Sequence, residues 1–301
     1  SPNVDDICSG YNELKVRIKN MGIIDVSPFT INWSLDNVLQ TPVAGTTVLN
    51  TLMSGNPNTA QITLGNILID ANPKTIKVWT SNPNGLADNN PANDTFETQI
   101  VSRLSGVYTI NSAQPTAGRN FTSFADFTNR LSAVGVCGPV TVNVATGSGP
   151  YTGQIAIGDY PGAGPNNPVR INGNGNVITY ASTTTTGQRE LLVLDGAKHV
   201  RIDSLTFRTT STTAAWGAWI TGQSVFDTLS NCTFDLTAVS SSSSTNINGI
   251  VLSTSRTSAT TGSATAPAGT NIVIEGNKIL GNTNSYGNYY GITLTTGVDR
   301  V

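Results

Sequence analysis

The sequence predicts an all-β protein in two parts. A β-sandwich is expected over residues 1–103, followed by a right-handed parallel β-helix over residues 104–301 with a short capping helix at its start. Three observations predict this arrangement. Short segments of alternating polarity fill the first hundred residues, one later stretch has helical periodicity, and a nine-residue pattern recurs in the last hundred.

Charged residues are scarce along the chain, and this limits the classes of function that the sequence can support. Charged residues make up 11% of the 301 residues, well below the roughly 25% of most soluble domains. The net charge of −2 disfavours a nucleic-acid groove, which needs clustered Lys and Arg. No apolar run approaches the roughly 20 residues that span a bilayer, so membrane insertion is not expected. A surface rich in Ser, Thr, Asn and Gly suggests an extracellular protein.

The first hundred residues contain six or seven predicted strands. The segments ELKVRIKNMG and PFTINWSLDN alternate in polarity, and turn formers such as those at 36–37 and 82–85 separate the segments. No helical pattern interrupts them, which indicates a sandwich of two sheets. Trp33 and Trp79 are expected to anchor its core.

The stretch VRIKNMG…SPFTINWSLDN, followed by IKVWTSNPNG…NPANDT, resembles the immunoglobulin-like adhesion modules of large bacterial surface proteins. The resemblance covers about residues 8–103. It implies a spacer or presenting module with no chemistry of its own.

One loop of this module is a candidate calcium site. The stretch NPNGLADNNPAND offers Asp88, Asn90, Asn93 and Asp94 as oxygen ligands. The competing interpretation is that these side chains form Asx turns in a long hairpin loop. No other cofactor is predicted.

A turn-rich passage over 101–120 precedes the only predicted helix, at about 122–134. Thr122 or Ser123 is expected to cap this helix, and Gly135 to end it. Its apolar face is suited to covering the end of a strand array that would otherwise be an open edge.

The recurring blocks HVRIDSLTF, FDTLSNCTF and NIVIEGNKI begin 27 and 45 residues apart. Aligning them places Ile202, Leu229 and Ile274 in register. A second element repeats as LLVLD, GAWIT, GIVLS and GITLT. A loop inserted at 253–270 accounts for the longer spacing, which leaves a period of 27 that fits a coil of a parallel β-helix. Propeller blades and further sandwich modules need longer periods. Because the pattern stops within a strand at Val301, we expect the natural chain to continue.

An active site is not favoured. The candidate charged residues are Asp195, Asp203, Asp227, Asp235, Glu275, Arg201, Arg208 and Lys278. In the aligned repeat, Asp203, Ser230 and Glu275 share a row without forming the paired carboxylates that hydrolysis needs. The only histidine, His199, aligns with Phe226 and Asn271 and is interpreted as a strand-edge residue.

A sugar-binding platform is the alternative site. Trp216, Tyr289 and Tyr290 fall at similar places on coils two apart, and Asn246 lies on the coil between them. Aromatic faces beside polar groups suit sugar rings. The competing interpretation is that these rings pack under the inserted loop.

The three cysteines, Cys8, Cys137 and Cys232, fit no metal-ligand spacing. Cys232 occupies an inward position of the repeat, which favours a buried thiol. A bridge between Cys8 and Cys137 is left open, since it needs an exported protein and close contact of the two segments.

The stretch GVYTINSAQP…FTSFADFTNRLSAVGVCGPVTVNVATGSGPYTGQI resembles the start of β-helix regions in large type IX-secreted surface proteins. Both resemblances together imply a cell-surface segment of a gliding or attachment adhesin. Such a segment is non-enzymatic, joins further domains of the same long chain and has polysaccharide as a candidate ligand. Two alternatives stay open, a β-helix polysaccharide lyase or hydrolase and a purely structural spacer.

Overall fold

The computed structural model describes residues 7–88, 90–241, 243, 245–263, 265–282 and 290–295. The chain forms two compact units, Ser1–Arg103 and Leu104–Val301. Strands make up most of the regular secondary structure of the described residues, so the protein is all-β as predicted. Their one α-helix has 11 residues, and no helix among them is long and apolar enough to cross a membrane.

The first unit is built from antiparallel strands. They are β1 (Gly10–Lys19), β2 (Phe29–Leu35), β3 (Val38–Leu39), β4 (Val43–Gly45), β5 (Thr59–Ile69), β6 (Lys74–Ser81) and β7 (Thr95–Ile100). One sheet pairs β1 with β5, and the other has the order β3-β2-β6-β7 with β4 also on β2. The turn from β2 to β3 uses Asp36 and Asn37, both with positive φ, as a tight hairpin requires.

A single apolar cluster fills the space between these two sheets. Val16 from one sheet and Ile31 and Trp33 from the other are all buried in it. Trp79, expected in the core, is only half buried and lies outside the cluster. The reason is strand alternation, because Ile76 and Val78 of β6 point inward and Trp79 follows them on the other face.

The second unit begins with β8 (Leu104–Ile110), β9 (Asn120–Phe121) and the helix α1 (Phe124–Val134). The strands that follow are β10 (Val136–Val144), β11 (Tyr151–Thr152), β12 (Ile155–Gly158), β13 (Val169–Asn172), β14 (Val177–Tyr180), β15 (Glu190–Asp195), β16 (Val200–Asp203), β17 (Thr206–Thr209) and β18 (Ala215–Thr221). The last are β19 (Ser224–Val225), β20 (Thr228–Ser230), β21 (Thr233–Asp235), β22 (Ile247–Leu252), β23 (Gly269–Thr270), β24 (Val273–Glu275), β25 (Lys278–Leu280) and β26 (Tyr290–Leu294).

Three parallel sheets share these strands. The first has the order β9-β8-β10-β13-β16-β20-β24, the second β11-β14-β17-β21-β25 and the third β12-β15-β18-β22-β26. From β10 onward the chain visits the first, second and third sheets in turn, and does so five times. Each circuit therefore pairs with the next through all three sheets.

The predicted register is confirmed. Ile202 pairs with Leu229 and Leu229 with Ile274. In the second sheet Phe207 and Phe234 stack with their ring centroids 5.2 Å apart and their planes 8° apart. Equivalent apolar residues thus lie on one another along the interior of the unit.

The extra residues of the fourth circuit are divided between two bends. The paired stretches 220–224 and 252–269 differ in length by 13 residues, and 208–215 and 235–247 differ by five. The sequence predicted one insertion at 253–270, but the end of that range is β23, which pairs with β19. Only the ladder has to be preserved, so either bend can hold additional chain.

The bend that leads into the first sheet repeats one backbone conformation. His199, Phe226 and Asn271 all have φ between 54° and 57°. This left-handed conformation is unfavourable for His and Phe, and easier for Asn. The stacked ladders on both sides of the bend hold it in place.

Helix α1 lies over the first strands of the stack. The Ser123 hydroxyl accepts a hydrogen bond from the Asp126 amide at 3.1 Å, and the Gly135 amide donates to the Leu131 carbonyl at 2.8 Å. Phe127 and Leu131 are fully buried, and the helix packs on β12, β8 and β9. A short amphipathic helix therefore covers apolar side chains at this edge.

Candidate functional site

Two tryptophans of β18 lie beneath the loop that follows β22. Trp216 is 0% exposed and Trp219 is 4% exposed. Both pack in one cluster with Val193, Val251 and Ala259, the last of which comes from the loop. The loop therefore forms the cover of an apolar patch on the third sheet.

Two arginines hold this loop against the third sheet. The Arg256 guanidinium carbon lies 4.7 Å from the Trp219 ring centroid, and its Nη2 is 3.6 Å from Asp195 Oδ2. Arg189 lies over Trp216 at 5.3 Å and donates through Nη1 to the Arg256 carbonyl at 3.2 Å. Cation–π contacts and hydrogen bonds thus join the loop to the sheet.

The predicted sugar platform cannot include Trp216, because a fully buried indole offers no face to a ligand. Asn246 donates through Nδ2 to Ser241 Oγ at 3.2 Å, and Tyr290 is half buried against the tryptophan cluster. Tyr289 lies outside the described residues. Trp216 and Tyr290 instead pack in and against the apolar cluster that the loop covers, as in the competing interpretation.

Asp203 lies in the predicted polar row of the first sheet, next to Ser230. It accepts hydrogen bonds from the Ser230 hydroxyl at 2.6 Å, the Ser204 hydroxyl at 2.7 Å and the Asn231 amide at 2.9 Å. Partial burial acts to raise its pKa, but these three bonds more than offset burial and lower the pKa of Asp203. The group therefore stays a carboxylate and is unsuited to act as a general acid.

Most of the other charged candidates are held in ion pairs on two different sheets. Arg201 Nη2 is 3.6 Å from Asp203 Oδ1 and 3.8 Å from Glu275 Oε1. Arg208 Nε donates to Asp235 Oδ2 at 2.8 Å. Burial acts to raise the pKa of Asp235, but its hydrogen bonds lower it overall. Lys278 begins β25 and is exposed. Asp203 and Asp235 both have lowered pKa values, the opposite of what a catalytic acid needs.

Asp227 is the carboxyl group with a strongly raised pKa, and it is sealed from solvent. It is 0% exposed, and its Oδ1 accepts from the Val200 amide at 2.9 Å. Its Oδ2 has no hydrogen-bond partner among the described residues. Burial raises its pKa to about 7. A polysaccharide cannot reach this group.

Glu190 is a second buried carboxylate, which the sequence did not indicate. It is 0% exposed, and its Oε2 accepts from the Arg189 amide at 3.2 Å. It pairs in register with Trp216, and Trp216 with Asn248, so this row of the ladder places the indole between two buried polar side chains. This row lies inside the unit.

His199 stacks on Phe226 at the bend before the first sheet. The ring centroids are 5.0 Å apart and the planes differ by 11°. Phe226 is 54% exposed, which is unusual for so large an apolar side chain in this unit. The stack is therefore an accessible aromatic face.

In the candidate calcium loop, only some of the four predicted ligand residues lie close together. Asp88 Oδ1 accepts from the Asn90 amide at 2.7 Å, which is an Asx turn, and Thr80 donates to Asp94 at 2.8 Å. Burial, and then the nearby Asp88 carboxylate, raise the pKa of Asp94. Asn93 serves a short 3₁₀ turn. No three His, Cys, Asp or Glu side chains converge as metal ligands within the described ranges.

Cys8 and Cys137 are disulfide-bonded, and Cys232 is a free, buried thiol. The Cys232 sulfur lies 3.2 Å from the Ser230 carbonyl oxygen. Burial raises its pKa to about 11, so it is an unreactive thiol at neutral pH.

The chain has little similarity to known proteins. No protein family matches it, and no curated protein does. One solved structure, a CARDB domain from Pyrococcus furiosus in complex with di-metal ions, aligns at 14% identity and a TM-score of 0.27. The alignment covers 34% of this chain and 82% of that domain.

Proposed function

We propose that the chain is a non-enzymatic, extracellular segment of an adhesin or surface fibre. In this proposal the first unit is an immunoglobulin-like β-sandwich module, and the second is a right-handed parallel β-helix. The resemblance to type IX-secreted gliding and attachment adhesins supplies the class of protein.

The observation that carries the proposal is the ladder of the second unit. Five circuits pair strand by strand in three parallel sheets, with equivalent residues stacked. Each circuit adds about 4.8 Å to such a stack. A stack of this kind adds length to the protein. It resists mechanical pulling and proteolysis, because its strands must separate one after another.

The charges of the second unit support a structural role. Asp203 and Asp235 are engaged by hydrogen bonds and arginines, and both have lowered pKa values. Asp227, with a raised pKa, is fully buried. Acid–base cleavage of a glycosidic bond needs an accessible carboxyl group with a raised pKa beside a second carboxylate. The alternative of a β-helix hydrolase therefore lacks its acid among these groups.

An extracellular location fits the cysteines. Disulfides persist in oxidising compartments such as the cell exterior, and Cys8 and Cys137 are both disulfide-bonded. The scarcity of charge fits the proposed ladder. Like charges stacked about 5 Å apart along a ladder repel one another, and rows of uncharged polar residues avoid this repulsion.

Polysaccharide is the proposed ligand, and the contact is reassigned from Trp216 to Phe226. The Phe226 ring is exposed and stacked on His199, with Arg201 on the strand that follows His199. An aromatic face beside polar groups suits the apolar face of a sugar ring.

The test is incubation of the protein with plant, algal and microbial polysaccharides, scored for retention and for new sugar ends in one sample. Retention without new ends is expected. Phe226→Asn should abolish retention without unfolding the protein, because Asn271 holds the equivalent bend with the same φ. Arg170→Asn, on the same sheet, is the control and should keep retention.

Two results would overturn the proposal. New sugar ends that disappear in Asp203→Asn or Glu275→Gln would make the protein an enzyme. If the protein shows no retention and releases no sugar ends, the purely structural spacer is the remaining function.

A further inference from the structure

The first unit exposes six large apolar side chains on two of its loops. One loop follows β1, and the other runs between β4 and β5. The side chains are Met21, Ile23, Ile24, Val48, Leu52 and Met53. Ile23 is 87% exposed and Met53 is 91% exposed. Soluble surfaces rarely concentrate apolar groups in this way without a partner.

Hydrogen bonds join the two loops into a single tip. Asn20 is 7% exposed, and its Nδ2 donates to the carbonyls of Ile24 at 2.8 Å, Leu49 at 2.9 Å and Asn50 at 3.1 Å. The Thr51 amide donates to Asp25 Oδ1 at 2.9 Å. A single buried amide therefore ties both loops together and holds the apolar side chains outward.

The charges around the tip are mainly cationic. Asp25 is the acid within the first loop, and its Oδ1 is engaged by the Thr51 amide. Residues 37–69, which contain the whole second loop, include no Asp, Glu, Lys or Arg. Arg17 and Lys19 are exposed on β1, and Lys19 directly precedes Asn20. Lys15 is bound to Glu13 at 2.6 Å, so that acid is engaged away from the tip. The apolar tip thus has a cationic flank.

We propose that this tip, defined as residues 20–25 and 48–53, docks on the surface of an anionic lipid layer. The apolar side chains enter the boundary between headgroups and acyl chains, and Arg17 and Lys19 meet the lipid phosphates. A protein partner is disfavoured because the six side chains include no Trp, Tyr or Arg, the residues that anchor protein interfaces. The inference rests on the first unit and does not depend on polysaccharide binding.

The test is flotation of the full chain with vesicles of phosphatidylcholine, with and without about one-third phosphatidylglycerol. The protein should float with the anionic vesicles and detach as salt rises, since the headgroup contact is screened. The double variant Ile23→Asp/Met53→Asp should lose at least about tenfold in partition coefficient. Both positions are exposed, so the fold should be retained, which circular dichroism checks.

Tyr11→Asp is the matched control. Tyr11 is 79% exposed at the opposite end of β1 from Lys19, so this variant adds the same charge away from the tip and should still float. Lys19→Gln should weaken flotation on anionic vesicles but not on neutral ones.

Three results would overturn the proposal. The first is a wild-type protein that floats with neither vesicle. The second is flotation that depends on Lys19 but not on Ile23 and Met53. The third is sedimentation showing a concentration-dependent dimer that the double variant abolishes, because the tip would then bind a second copy of the chain.

Discussion

Arg256 lies over the indole of Trp219, with its guanidinium carbon 4.7 Å from the ring centroid, while Trp219 Nε1 donates to the Ser253 carbonyl at 3.0 Å. Both contacts come from one loop and end on one side chain. The loop is therefore held to the third sheet by a hydrogen bond at its start and by a cation–π contact three residues later.

Arg256→Ala should loosen this loop and expose Trp219. Loss of the guanidinium removes the cation–π contact and the ion pair with Asp195, worth roughly 1–2 kcal/mol together at a partly exposed site. Acrylamide quenching of tryptophan fluorescence should increase. Arg208→Ala removes a similar pair on the second sheet and should leave quenching unchanged. Equal quenching in wild type and Arg256→Ala would show that the loop stays closed without this contact.

Asp227 should make the protein less stable as pH rises from about 4 to 7. Its pKa is about 7 in the folded protein and near 3.8 in the unfolded chain, so within that window only the folded state keeps the proton. The free energy of unfolding should fall by about 1.4 kcal/mol per pH unit from this group. Groups with lowered pKa values, such as Asp203, act in the opposite direction at lower pH.

The Asp227→Asn variant isolates that contribution. The amide oxygen can still accept from the Val200 amide, but the side chain no longer titrates. Urea unfolding at pH 5 and pH 8 should show the variant gaining stability relative to wild type at the higher pH. A difference that does not change with pH would mean that Asp227 is ionised in the fold at both values.

The register of the second unit could be predicted because a parallel ladder imposes the same demand at each circuit. Ile202, Leu229 and Ile274 fill equivalent interior positions, and the sequence repeats their apolar character. The division of the extra residues between two bends could not be predicted, since loops at bends carry no periodic signal. Trp79 was placed in the core because it is large, whereas strand alternation puts Val78 there.

The site was less predictable than the fold. The burial of Trp216 depends on a loop that folds back over β18, and no local pattern marks such a contact. Asp227 is different, because its column in the aligned repeat contains Val200 and Ile272, both 1% exposed. The repeat therefore carries the signal of its burial, although not of its raised pKa.

The cysteines should give one free thiol. Iodoacetamide should label the denatured, unreduced protein once, at Cys232, and label it three times after reduction. In the folded protein at pH 8 labelling should be very slow, because Cys232 is buried and its pKa is about 11. A Cys232→Ser variant should not be labelled before reduction. Labelling of Cys8 or Cys137 without reduction would contradict the disulfide.

Gly222→Ala should destabilise the fold strongly, and Gly175→Ala only slightly. Both glycines have positive φ, +65° and +73°, so an added Cβ strains each by about 1 kcal/mol. At Gly175 that Cβ would meet nothing within 4 Å. At Gly222 it would lie 2.6 Å from the backbone nitrogen of Gly196 and also against Asp195, on the neighbouring circuit. The excess loss in Gly222→Ala, measured by urea unfolding, therefore reports how tightly successive circuits are stacked, and equal losses would mean that the stack yields at this bend.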